Sequence, residues 1–247
     1  MMPLVDHLSE LRKRVVRIVI VFVISLIAGF VAAQPIIDYL ISVPPADELT
    51  MNVFSPWDSL MIYLKVAMLV ALLITMPFGI YQIWLFVVPG LRDHERKAAV
   101  LYIPLAAVLG LCGLAFAYFV VFPLAFSFTM FLANQMELTL TYGISQYFSF
   151  MFNILIPVTL VFELPVVVLF LTTVHILTPT VLIKSRRIAY VVLVVISTLI
   201  TPPDLVSALI VYVPLVLLYE ASVYFSKRVH KRQQLKLKLA EERLNNT

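Results

Sequence analysis

The sequence predicts an all-α integral membrane protein with six transmembrane helices and both termini in the cytoplasm. Three observations carry that prediction. The 247 residues are 62% hydrophobic and only 13% charged, about half the charge density of an ordinary soluble domain, and the mean hydropathy is +1.01. Apolar runs of roughly 20 residues, enough to cross about 30 Å of hydrocarbon as helix, recur along the chain, whereas the strand-length alternation of an outer-membrane barrel does not. Finally, 17 of the 18 Lys and Arg fall on one side of the resulting map, as the positive-inside rule requires of a cytoplasmic face.

The spans are read at about 15–33, 60–88, 98–124, 147–173, 188–201 and 205–225. The leading MMPLVDHLSELRKR lacks the small-residue cleavage pattern of a signal peptide, so the first apolar run is kept as span 1. Within it Leu4, Leu8, Leu11 and Val15 form one apolar stripe, while Asp6, Glu10 and Arg14 line a polar face at four-residue spacing. That pattern predicts an amphipathic helix at the membrane surface, running into span 1. The plain reading of Glu10 and Arg14 is an exposed pair worth about 0.3 kcal/mol.

Span 2 is long enough to need tilt, and Pro77 with Gly79 invites a bend. Lys65, the one cation away from the cytoplasmic side, is expected to snorkel to the interface. The following loop, GLRDHERKAA, carries Arg92, Arg96 and Lys97. Its Asp93 and Glu95 suit the start of span 3, where acids complement the helix dipole. Span 3 holds Cys112, the only cysteine, which rules out an intrachain disulfide and a thiolate metal cluster.

Span 4 contains VTLVFELPVVVLFL, which puts Glu163 in mid-membrane between Pro157 and Pro165. The two prolines lack N–H groups and free backbone carbonyls on either side of the acid. A carboxylate at that depth costs about 3 kcal/mol on insertion scales, so it must be neutral, partnered or wet. Span 5, IAYVVLVVISTLI, offers only 13 apolar residues before TPPD, about 20 Å of helix. The hairpin of spans 5 and 6 is therefore short, turns inside the far leaflet and leaves a notch toward which Glu163 is expected to face. Pro202 and Pro203 stop span 5, Asp204 suits the cap of span 6, and Glu220 reads as an interfacial acid.

Residues 1–247 thus form a single membrane domain, with a basic cytoplasmic tail at 226–247 able to extend span 6 as a helix along the inner leaflet. The net charge of +4 reports topology and contact with anionic lipid, and is no nucleic-acid footprint. His7, His94, His175 and His230 show no metal-ligand spacing, and GxSxG, Walker and GxGxxG motifs are missing. No enzyme, cofactor or metal is expected. Glu10 and Glu95 share the cation-rich face, and carboxylates accept the guanidinium fork in bidentate fashion, so the pair suits two adjacent arginines of a ligand. Capping roles for both remain an alternative, as do a proton-coupled solute carrier built on Glu163 and a passive scaffold. A carrier would show an inverted repeat; AYFVV at 117 and AYVVL at 189 resemble each other no more than apolar spans do by chance.

Six stretches in order resemble the TatC family, the multispanning receptor subunit of the twin-arginine protein translocase. They are HLSELRKR, SPWDSLMIYLKVA, YQIWLFVVPGLRDHERKAA, AFAYFVVFPLAFSF, VFELPVV and LITPPD. The resemblance implies a concave, glove-like bundle in the bacterial cytoplasmic (inner) membrane that binds twin-arginine signal peptides of folded cargo proteins. It implies small single-span partners of the TatA and TatB type, a homo-oligomer within a receptor complex, and transport driven by the proton-motive force. By the same resemblance Glu10 and Glu95 contact the arginines, Arg12 matches a basic position of the N-terminal motif, and Phe86 an aromatic near the loop. Glu163 matches the intramembrane acid and Asp204 the acid of the short hairpin. The loop around VPPADELT, the segment MFLANQMELTLTYGISQ and the tail after Lys227 fall outside the resemblance.

Overall fold

The computed structural model describes residues 4–47, 49–87, 102–137, 141–201 and 205–245, with side chains from Ser9 to Leu235 apart from residues 206 and 207. In chain order the helices are α1 (Leu4–Val31), α2 (Ala33–Ile41), α3 (Trp57–Val87), α4 (Tyr102–Phe116), α5 (Phe122–Gln135), α6 (Ile144–Phe162), α7 (Leu164–Thr173), α8 (Pro179–Lys184), α9 (Arg186–Ile200) and α10 (Leu205–Asn245). A π-helical turn, Ala117–Val121, joins α4 to α5. Among the described residues five helical segments are long and apolar enough to cross a membrane: Ser9–Val31, Trp57–Phe86, Tyr102–Gln135, Ile144–Thr173 and Ala208–Leu235. The remaining crossing candidate, α9, has 15 residues, about 22 Å of helix, and falls short of the hydrocarbon thickness as its sequence requires.

The N-terminal segment runs into span 1 as expected, within one unbroken helix α1 of 28 residues, and of the apolar stripe Leu11 is 41% and Val15 49% exposed. The third crossing is where a helix end departs most from the sequence expectation. It does not stop at residue 124 but continues to Gln135. Pro123, which cannot donate to the residue four back, sits just after the π turn, whose wider hydrogen-bond loop absorbs the missing N–H and lets the helix go on. The helix ends where Met136 N–H returns to the carbonyls of Leu132 and Ala133 and Glu137 takes a left-handed φ of 53°. In α3, Pro77 lies inside a helix that is not interrupted.

At the far end, opposite the start of α1, α2 and a two-stranded parallel pairing close the bundle, with β1 (Met51–Asn52) set against β2 (Tyr142–Gly143). Two-residue strands carry no periodicity, so nothing in the sequence announced them. Asp58 Oδ2 accepts Phe54 N–H and Ser55 N–H, each at 3.0 Å, and fixes the entry into α3. Replacing Asp58 with Ala is expected to cost about 1–2 kcal/mol and Asp58→Asn less, readable as a fall in the thermal unfolding midpoint of the purified protein. Lys65 Nζ donates to Ser149 Oγ on α6, which in turn donates to Ser145 O at 2.5 Å.

α6 and α7 form the centre of the bundle. Their most apolar window is 61% buried, against 11% for α1. Phe122, Phe148 and Phe152 are fully buried, and Phe122 stacks on Tyr118 and meets Tyr147 edge to face at 5.6 Å. Lipid is as apolar as these rings, so contact density and ring geometry, more than escape from water, hold them together. Leu199, at 80% exposed, Val31, at 78%, and Phe119, at 69%, face outward, as lipid-contacting side chains do.

The near end, where α1 begins, is tied by polar contacts. Tyr102 and Thr173 hydroxyls lie 2.9 Å apart, joining α4 to α7, and Thr172 and Ser226 hydroxyls lie 2.8 Å apart, joining α7 to α10. Gln233 Nε2 donates to Thr173 O at 2.9 Å, so the first turns of the basic tail dock on the bundle as well as continuing span 6 as a helix. Arg186 Nη2 and the Tyr190 hydroxyl donate to the two oxygens of Glu220, each at 2.6 Å, and clip α9 to α10. Glu220 is thus the anchor of a clip.

Candidate functional site

Glu163 occupies the one residue between α6 and α7. Pro165 explains the break: with no N–H to give, it cannot carry the α6 ladder onward, and the Glu163 carbonyl restarts the ladder by accepting from Val166 and Val167 at 3.1 and 3.2 Å. The side chain is 3% exposed. It does not face the short α9–α10 hairpin, where an apolar groove of about 420 Å³ lined by Leu164, Val168, Leu193 and Tyr219 omits it. It turns instead toward α3 and α4. A Cβ built on Gly110 would stand 2.8 Å from Glu163 Oε1 and 3.7 Å from Leu73, so glycine is what admits the carboxyl group against α4.

Oε2 of Glu163 is buried without a hydrogen-bond partner, and so is the Thr159 hydroxyl one turn earlier. Both residues line a space of about 10 Å³ bounded by Leu69, Leu73 and Met76 of α3, the size of about one water. Leu69 and Leu73 also line a groove of about 400 Å³ running past Leu111, Tyr118 and Tyr39 on the far half of the bundle. The acid therefore sits at the inner end of an apolar concavity, with no ion-pair partner among the described residues. Gly110→Ala pushes directly on the carboxyl group and is expected to cost about 1–3 kcal/mol, read as a lower unfolding midpoint that Glu163→Ala in the same protein relieves.

At the near end, Arg14 Nη2 donates to Glu10 Oε1 at 2.5 Å; the Arg14 side chain is 13% exposed and that of Glu10 27%. This is no freely exposed surface pair. α1 packs antiparallel on α3: a Cβ on Gly29 would meet Ala67 Cα at 3.0 Å, and Phe30 contacts Tyr63 at 5.5 Å between ring centroids. Carried the same number of residues down each helix, the register that sets Gly29 against Ala67 brings Glu10 level with Phe86, a half-buried ring on the last turn of α3. Arg12 lies apart from Glu10, lining an open groove of about 610 Å³ with Ser9, Lys13 and Arg17. Glu95 and Asp204 lie outside the described residues, as do the side chains of Leu4, Asp6 and Leu8.

Sequence reasoning missed Arg14 as a partly buried guanidinium, Gly110 as the seat of the acid and the Arg186–Glu220–Tyr190 clip. Only Gly110 left a signal, in the LGLCG spacing that puts Gly110 and Gly113 on one face of α4. Among the described residues no group of His, Cys, Asp and Glu gathers as a metal site.

A helical bundle of membrane-length crossings around a central broken helix with a buried acid defines the class of multispanning α-helical membrane proteins. The model of the Sec-independent protein translocase protein (TatC) family matches residues 6–214. A TatC from Halalkalibacterium halodurans is 46% identical over 241 residues, covering 98% of this chain and 95% of its own length. TatCy of Bacillus subtilis is 41% identical, covering 94% and 92%. The crystal structure of the twin-arginine translocase receptor TatC superposes with a TM-score of 0.74 at 31% identity, covering 90% of this chain and 99% of that one. The chain belongs to the TatC family. It is a component of the twin-arginine protein translocase, a membrane transport protein rather than an enzyme.

Proposed function

We propose that this chain is the receptor core of the translocase: it binds twin-arginine signal peptides at the cytoplasmic face and, with small single-span TatA- and TatB-type partners, moves folded proteins outward using the proton-motive force. The observation that carries the reading is Glu10, half-buried on α1 level with Phe86, at the end of the bundle where α1 begins, the side to which the sequence map assigns 17 of the 18 cations. A carboxylate there, together with Glu95 from the first cytoplasmic loop, grips adjacent guanidinium groups, whose planar fork a lysine cannot reproduce. Arg12 and Phe86 complete the peptide site.

The topology that goes with this reading has six spans with both termini cytoplasmic, in a glove-like bundle in the bacterial inner membrane. Spans 5 and 6 are the short hairpin, Asp204 is at its tip, and the single membrane domain of residues 1–247 ends in a basic tail, 226–247, that meets anionic lipid. Several copies assemble in the receptor complex. Glu163 serves the transport step, at the inner end of the concavity. A solute carrier needs a chamber of several hundred Å³ with convergent polar groups, whereas the space beside Glu163 is about 10 Å³ and the adjoining groove of about 400 Å³ is lined by apolar side chains apart from Tyr39 and Tyr118.

The test is transport by vesicles containing this chain and its single-span partners, offered a folded cargo carrying a twin-arginine signal peptide. Uptake is expected only with a proton gradient and only with the cargo's signal peptide intact. Uptake that ignores the gradient, or that proceeds equally after the peptide is removed, contradicts the proposal.

A further inference from the structure

Arg14 is the one basic residue of the N-terminal segment whose guanidinium is packed away from solvent. Its Nε and Nη1 atoms are buried without hydrogen-bond partners, while Nη2 holds Glu10 Oε1 at 2.5 Å. The helix register that brings Glu10 level with Phe86 brings Arg14 level with Gln82 on α3. Gln82 is 4% exposed and its Oε1 is likewise buried without a partner. Two features follow from this arrangement. The guanidinium is packed away from solvent, so it is not free to swing away when a ligand arrives. It also engages one Glu10 oxygen through one of its five N–H donors, and a carboxylate has a second oxygen with lone pairs to give.

We infer that Arg14 is the positioning residue of the arginine-recognition site: it pins one oxygen of Glu10, so that the other oxygen is presented to a signal-peptide guanidinium. The inference rests on the peptide-binding reading proposed above. Arg14 touches no ligand; it acts through Glu10. An unpinned Glu10 on the first turns of α1 samples several rotamers, and each has to be surrendered when the peptide binds. A cation at residue 14 removes that cost in advance.

The test is a double-mutant cycle on the full-length purified protein, read as the affinity of a labelled twin-arginine signal peptide and of its Lys–Lys counterpart. Arg14→Gln is expected to weaken twin-arginine binding about tenfold, to narrow the gap between the two peptides, and to add nothing once Glu10→Gln is present. Arg14→Lys, which keeps a cation four residues from Glu10, is expected to restore most of the loss. Losses that add in the double variant assign Arg14 a structural role and overturn the inference. So does an Arg14→Lys protein that folds but binds as poorly as Arg14→Gln, and so does tighter binding by Arg14→Gln, which would mark Arg14 as a competitor of the ligand. Wild-type protein that fails to bind the peptide, or binding indifferent to Glu10→Gln, overturns the receptor reading itself and the inference with it.

Discussion

A Glu163→Gln protein is expected to fold, to bind twin-arginine peptide as the wild type does, and to transport cargo at least tenfold more slowly. Glu163 is 3% exposed, one oxygen lacks a partner, and its neighbours in the small space beside it are apolar apart from Thr159. Glutamine matches the shape and spares the bundle an ionisable group that is costly to bury, so stability holds or rises slightly. What it loses is the ability to exchange a proton or carry charge. The carboxyl group survives in a position where packing alone would favour an apolar side chain, and the concavity past Leu69 and Leu73 leads to it. Parallel measurements of peptide affinity and vesicle transport check this. A variant that transports normally assigns Glu163 to structure, and one that loses peptide binding merges the two sites that are kept apart here.

Glu10→Ala and Glu95→Ala are each expected to weaken the peptide by about 2–5 kcal/mol where the guanidinium contacts are desolvated, at least 30-fold in affinity at the lower end of that range. Glu10 is 27% exposed, which places its contribution toward the lower end, since partial exposure to water screens the contact. The double variant is expected to fall little below the weaker single one, because a peptide that has lost one arginine contact retains only non-specific binding. Titration of labelled peptide against the four proteins checks both statements. Glu10→Gln, which keeps the side-chain length, separates charge from packing and is expected to lose nearly as much as Glu10→Ala.

The parts of this molecule that follow from long-range averages were legible in the sequence. Runs of apolar residues gave the membrane-length helices, the count before TPPD gave the short α9, and one acid in an apolar run marked the centre of the bundle. Direction was another matter. Around Glu163 nearly every neighbour is apolar on all sides, so helical periodicity cannot say which face points where, and the acid was assigned to the wrong flank. The information lay in Gly110, on a different helix. The same limit hid the Arg186–Glu220–Tyr190 clip and the Gln233–Thr173 contact, whose partners are 30 to 60 residues apart and repeat with no period. The acceptor of Lys65, Ser149, is 84 residues away and was equally out of reach of any local pattern. For Arg14 the four-residue spacing to Glu10 was plain, but that spacing says nothing of the packing that leaves its side chain 13% exposed. The third crossing outran its expected end because Pro123 reads as a helix stop, and a π turn makes it harmless.

The recognition of paired arginines is the centre of this account, and the most direct measurement is the affinity of the purified wild-type protein for one signal peptide in two forms, Arg–Arg and Lys–Lys. The planar forks of two guanidinium groups, met by carboxylates at Glu10 and Glu95, predict that the Lys–Lys form binds at least tenfold more weakly at the same net charge. Equal affinities would mean that the near end of the bundle responds only to positive charge, and would contradict the assignment of a paired-carboxylate site.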